Sequence, residues 1–116
     1  MTINSHALVI ALAAMTSACS GAQSGGNPLL SGMENPSETV LEGCAIAKQK
    51  CTRCHTMDQL LAAKIATPDT WRLYVHRMRL MPGAGIREQE EPKIVQCLVY
   101  RSFGNEGLAT LKGQAK

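Results

Sequence analysis

Three observations predict a small all-α domain with about three main helices. Three stretches carry helix-capping signals and apolar residues at 3–4 spacing, and no stretch shows the apolar–polar alternation of a strand. The composition, 45% hydrophobic and 18% charged over 116 residues, is that of one globular unit. Collagen-like and wholly disordered chains are thereby excluded. Aromatics supply only 3% of the residues, as Trp71, Tyr74, Tyr100 and Phe103, so a core of this size calls for a further bulky apolar group.

The first element is expected over about 36–49, with Asn35 as N-cap, Pro36 at the first helical position, and Val40, Leu41, Cys44 and Ala47 on one side. The second begins at Thr67 as N-cap, followed by Pro68 and Asp69, and ends before Pro82 and Gly83. The third covers about 90–102 and stops at Gly104, with Ile94, Val95, Leu98 and Arg101 at helical spacing and Pro92 in its first turn.

Residues 1–22 are expected to be a signal peptide. No Asp, Glu, Lys or Arg precedes Glu34, and residues 7–15 are an almost unbroken apolar run, too short to span a bilayer. Small residues before Cys19 resemble a lipoprotein signal, in which Cys19 takes the lipid. Cleavage after Ala18 or Ala22 is the competing expectation. Residues 23–35, rich in Gly, Ser, Asn and Pro, read as a flexible linker; the domain proper is expected over 36–104 and a C-terminal tail over 105–116. All 21 charges, 12 basic and 9 acidic, fall after residue 33. An exported, periplasmic location follows, and with it access to disulfides and thiol-attached cofactors.

Residues 51–55, Cys-Thr-Arg-Cys-His, form C-x-x-C-H, the attachment sequence of a c-type haem. Thiols three positions apart can add to two vinyl groups on one edge of a macrocycle, and the adjacent His55 can then ligate iron from below. A haem also supplies the flat apolar mass that the sparse aromatics do not. Two other uses of paired cysteines stand beside it. A thioredoxin-like redox pair normally sits in an α/β pattern, which is lacking here, and a zinc site wants a second ligand pair, which Cys44 and Cys97 do not make in sequence.

At about 100° per residue, Trp71, Tyr74, Val75 and Met78 share one face of the second helix, with Met78 about 20° from Trp71. Met81 lies about 80° from Trp71, on the side away from His76, and is the rival sulfur ligand; His76, about 140° from Trp71 beside Arg72 and Arg79, belongs to a polar face. Methionine opposite His55 leaves no vacant iron position, the arrangement of a one-electron carrier. An open distal site would instead suit peroxidase or gas-binding chemistry.

From Gly43 onward the chain resembles class I (mono-haem) cytochrome c in its small bacterial form. The resemblance is carried by Gly43, Ile46, Cys51, Cys54, His55, Trp71, Val75, Arg77, Met78, Gly85, Ile86, Ile94 and Leu98. It implies haem c as the single cofactor, Met78 as distal ligand, Trp71 as a further haem-binding residue, and a tight crossing of the first and last helices at Gly43. The chain departs from the family at that crossing, where Ala47 and Cys97 replace aromatics. A disulfide between Cys44 and Cys97 is therefore expected, with two buried free thiols as the alternative.

The function expected is electron transfer, not catalysis. The partners expected are redox proteins, some of them acidic, that dock on a positive rim of Lys64, Arg72, His76 and Arg79, or a larger oxidoreductase that holds the chain as a subunit. A formal net charge of +3 argues against a dedicated nucleic-acid binder, and a membrane enters only through the lipid anchor.

Overall fold

The computed structural model describes residues 26–114. The expected signal segment, Cys19 and residues 23–25 of the expected linker lie outside these residues. Among the described residues the chain is all-helical. A 3-10 turn, Pro28–Leu30, precedes α1 (Glu38–Cys51), α2 (Met57–Leu61), α3 (Pro68–Arg79) and α4 (Glu91–Gln114). None of these helices is long and apolar enough to cross a membrane.

The core lies where α4 packs against both α1 and α3. From α1 it takes Val40, Cys44, Ala47 and Cys51, from α3 Trp71 and Val75, and from α4 the run Ile94 to Tyr100 apart from Gln96. Leu41, expected on the same side as Val40, points outward instead. At the α1–α4 crossing the backbones approach so closely that a Cβ on Gly43 would overlap the Lys93 carbonyl. One turn away the sulfurs of Cys44 and Cys97 are bonded, 1.99 Å apart, with the Cα atoms at 5.0 Å.

The start of α1 differs from the sequence expectation. Ser37, not Asn35, is the N-cap, its hydroxyl accepting the Val40 N–H at 3.3 Å. Asn35 takes a positive φ of 48°. Pro36 disfavours helical backbone in the residue before it, and Asn tolerates the left-handed region better than most side chains. At its other end α1 runs through Cys51, two residues past the expected stop at 49. For α3 the expected caps and bounds hold: Thr67 accepts from the Thr70 N–H, Pro68 is first, and Asp69 lies in the first turn.

Two segments expected to lie outside the domain are part of it. Leu29, in the stretch read as linker, is fully buried in the core. Asn27 Nδ2 donates to the Cys44 carbonyl at 2.8 Å, and Arg101 Nη1 donates to the carbonyls of Leu29 and Ser31 at 2.9 and 3.1 Å. The tether-like composition conceals one apolar anchor, Leu29, whose burial holds the turn down. The expected tail is helical through Gln114. α4 kinks at Gly104 (φ 63°, ψ −154°), a backbone state that only glycine adopts readily, and the bend turns Leu108 and Leu111 back onto the core.

The disulfide closes a loop across a sequence separation of 53 residues. Reduction, or replacement of both cysteines by Ala, is expected to lower unfolding free energy by about 2–4 kcal/mol. Denaturant unfolding of the oxidised and reduced proteins measures the difference.

Candidate functional site

The C-x-x-C-H motif sits at the carboxyl end of α1. Cys51 is the last helical residue, Thr52 caps the helix, and the following turn folds back so that the N–H groups of Cys54 and His55 both donate to the Cys51 carbonyl, at 3.2 and 2.9 Å. Cys51 and Cys54 are free thiols, the first buried and the second exposed. His55 is exposed, and its imidazole has no hydrogen-bond partner among the described residues. Burial among apolar neighbours pushes the Cys51 thiol up to about 11, against an ordinary value of 9.0.

A thiol at a helix N-terminus is activated by the positive end of the helix dipole. Cys51 has the opposite placement, at the negative end of the helix dipole, in a buried setting that disfavours the thiolate. Both terms work against a disulfide-exchange nucleophile. Cys44 and Cys97 are bonded to each other, so neither is available to complete a zinc set with the motif. Among the described residues no three His, Cys, Asp or Glu side chains converge as a shared metal site.

The motif leads directly into α2, which the sequence expectation did not include. Thr56 and Gln59 form a reciprocal capping box: Thr56 Oγ1 accepts the Gln59 N–H at 3.2 Å, and Gln59 Oε1 accepts the Thr56 N–H at 2.9 Å. The T-x-x-Q spacing was a readable signal for this helix. Leu60 anchors it to the core.

Trp71 and Val75 face the core as expected of the α3 face, and the Trp71 indole N–H donates to Ser102 Oγ on α4 at 2.9 Å. Met78, about 20° round the helix, is half-buried; Tyr74 and Met81, further round on the same side, are 44% and 60% exposed. This leaves a partly exposed strip of one ring and two thioethers, with the Arg77 guanidinium 6.0 Å from the Tyr74 ring centroid. A monomer tolerates single exposed apolar groups, but a contiguous strip of large ones calls for an occupant.

Backbone bonds connect these methionines to the motif. The Met81 N–H donates to the Met78 carbonyl at 3.0 Å, and the Ala84 N–H to the Met81 carbonyl at 3.2 Å. The carbonyl of the next residue, Gly85, accepts from Lys50 Nζ at 2.7 Å, and Lys50 is the residue before Cys51. Arg53, inside the motif, lies against Gly85 as well. Four positions apart in the chain, the Met81 and Gly85 backbones are within about 14 Å of each other. The donor types are those that a covalently held haem would use: two free thiols three positions apart, an unpartnered imidazole beside them, and two thioethers, one half-buried and one exposed, tied to the same end of α1.

Lys50 also lies 3.5 Å from Glu90 Oε2. Glu90 is buried, and it accepts the Arg87 N–H and the Arg87 guanidinium, both at 2.8 Å. Sequence reasoning missed this cluster, because its members are up to forty residues apart and follow no periodicity. The Arg87 hydrogen bonds, aided by the charges of Arg87 and Lys50, hold the Glu90 carboxyl down at about 2, against an ordinary 4.5.

The expected positive rim is largely neutralised within the chain. Arg72 pairs with Asp69 at 3.1 Å, while Arg79 and His76 both engage Glu91, the latter at 3.1 Å. Lys64 alone of the four has no ion-pair partner among the described residues. Two surface cavities, of about 780 and 920 Å³, lie elsewhere and include none of Cys51, Cys54, His55 or Met78 in their walls.

The depressed Glu90 value sets an acid limit. A carboxyl whose folded value is below its unfolded one contributes stability above about pH 4.5 and loses it as pH falls towards about 2. Glu90→Gln is expected to lower stability at neutral pH and to flatten the acid-unfolding profile over that window, as followed by far-UV circular dichroism.

The chain matches no known protein family, no curated protein and no solved structure.

Proposed function

We propose that this chain is a class I cytochrome c-like electron carrier that binds one haem c, with Cys51 and Cys54 as its covalent anchors and His55 and Met78 as the iron ligands. The observation that carries the reading is the motif's setting: free thiols and an unpartnered imidazole at the negative end of α1, joined through Lys50 and Gly85 to a strip bearing Tyr74, Met78 and Met81. When bound, the haem supplies an iron centre that gains and loses one electron.

The residues divide the work. Cys51 and Cys54 would each hold the haem through a thioether, the S–H adding across one vinyl group with no leaving group. His55 presents a ring nitrogen from a turn tied to the Cys51 carbonyl. Met78, more enclosed than Met81, offers sulfur from a drier position, which favours ligation in the higher range of potential. Trp71, held to Ser102, stiffens the α3 face from which Met78 projects. His55 and Met78 together would leave the iron of a bound haem no position for substrate. The carrier role follows from that.

The export and periplasmic reading, with or without a lipid on Cys19, belongs to this proposal and rests on residues 1–22 of the sequence. Internal pairing of Arg72, His76 and Arg79 favours partner docking by surface shape over attraction of an acidic protein by these cations. A second reading, a cytochrome subunit fixed in a larger oxidoreductase, draws support from Leu73 and Leu80, 61% and 64% exposed on the side of α3 away from Trp71.

Protein produced with a working cytochrome c maturation apparatus is expected to be coloured and to carry the mass of one haem. Cys51→Ala combined with Cys54→Ala is expected to abolish both. Colourless parent protein with the mass of the bare polypeptide overturns the reading, and a monomer on size analysis favours the diffusing carrier over the fixed subunit.

Met78→Ala is expected to remove the weak near-infrared charge-transfer band of the oxidised protein and to open the reduced protein to carbon monoxide, while Met81→Ala leaves both as in the parent. The reverse pattern transfers the ligand to Met81. Ready carbon monoxide binding by the parent itself points to the open-site chemistry.

A further inference from the structure

Resting on the haem reading, we propose that Lys50 and Glu90 are positioning residues that latch the segment bearing Met78 and Met81 against the haem-attaching cysteines, and so keep the sulfur ligand in place. The latch has two halves. Lys50 Nζ reaches across 35 residues of sequence to the Gly85 carbonyl at 2.7 Å, and its side chain is only 16% exposed. Glu90, with a side chain 7% exposed, faces Lys50 at 3.5 Å and gathers the loop through the N–H and guanidinium of Arg87.

The geometry makes this more than a local ion pair. Lys50 is bonded through the main chain to Cys51, so its ammonium moves with the first haem anchor. On the other side, Gly85 is one residue past Ala84, whose N–H holds the Met81 carbonyl, and Met81 in turn holds Met78. Peptide links and hydrogen bonds thus alternate from Cys51 to the backbones of both candidate methionines. Glu90 closes the loop's far end, because its carbonyl accepts the Ile94 N–H in the first turn of α4. The Lys50 bond to the exposed Gly85 carbonyl is charge-assisted but open to solvent. The Lys50 and Glu90 side chains are largely removed from water, so loss of Lys50 leaves the buried Glu90 carboxylate short of a partner. Most exposed ion pairs of this protein lack that property: Arg72–Asp69 and Lys93–Glu42 each stand in solvent and contribute little.

A thioether is a weaker donor to iron than an imidazole, so the methionine would be the more labile ligand and would depend on the backbone that presents it. Loosening the loop would let the sulfur move away without disturbing His55, whose backbone N–H is held by the Cys51 carbonyl. The latch therefore governs how long the distal site stays closed, and the thioether attachment is independent of it.

The test uses matured holoprotein and the variants Lys50→Leu, Glu90→Gln and Lys50→Arg. Carbon monoxide uptake by the reduced protein reads the departure of the sulfur ligand, and hydrogen exchange by mass spectrometry reads the opening of residues 82–90. Lys50→Leu is expected to accelerate uptake by about tenfold, the size of one lost charge-assisted bond, with unchanged haem mass. Glu90→Gln is expected to do so by a smaller factor, and Lys50→Arg to retain the parent rate within about threefold. A merely structural role would lower melting temperature and leave uptake and local exchange at parent values. If Lys50→Leu does not mature, Glu90→Gln and the exchange of residues 82–90 decide between these outcomes. Parent-like uptake and exchange in a coloured protein overturn the latch alone; a haem-free parent overturns the underlying reading and the latch with it.

Discussion

The structure depends on how closely α1 and α4 cross at Gly43. The missing side chain lets the α1 backbone rest on the Lys93 carbonyl, and that approach brings Cys44 and Cys97 within bonding range. A larger residue at position 43 would separate the helices and strain both the disulfide and the contacts of Val40, Ala47, Ile94 and Leu98. With two of the helices fixed in this way, α3 needs only Trp71 and Val75 to settle against α4, and the small number of aromatics is sufficient for that part of the core.

The same crossing sets the direction in which α1 points its carboxyl end. Cys51 finishes the helix, so the thiols and His55 emerge from the negative end of the dipole and into a turn held by the Cys51 carbonyl. This polarity separates the motif from redox-active cysteine pairs, whose reactivity comes from stabilised thiolates. It also puts Lys50 where its ammonium can meet the Gly85 carbonyl, and so ties the loop after α3 to the motif. The strip of Tyr74, Met78 and Met81 is then positioned by the apolar packing of α3 through Trp71 and Val75 and by the hydrogen bonds of the loop that follows it.

Charge is used chiefly inside the chain. Glu91 gathers His76 and Arg79, Glu90 gathers Arg87 and Lys50, and Asp69 takes Arg72. A sequence count of +3 suggests a surface field that these pairings largely cancel in the neighbourhood of α3. Arg101 is a further case: its guanidinium serves as a donor to the carbonyls of the Pro28–Leu30 turn and Ser31, not as a docking cation.

The all-helical class, the bounds of α3 and the C-x-x-C-H motif were legible because each depends on neighbours a few residues apart: Thr67-Pro68-Asp69 is a local cap, and the cysteines share one turn. α2 was legible too, in Thr56 and Gln59, although the expectation passed over it. The N-cap at Ser37 depended on Pro36 and its effect on Asn35, which is local but easily read as a cap at Asn35 itself. Tertiary structure alone decided that Leu29 is core and that the helix after Gly104 folds back. It also decided that Lys50 meets Gly85 and Glu90, and that Arg72, His76 and Arg79 are spent on carboxylates. These outcomes join residues that are distant in sequence, or select one among several available partners, and the selection is made by which surfaces the α1–α4 crossing leaves facing each other.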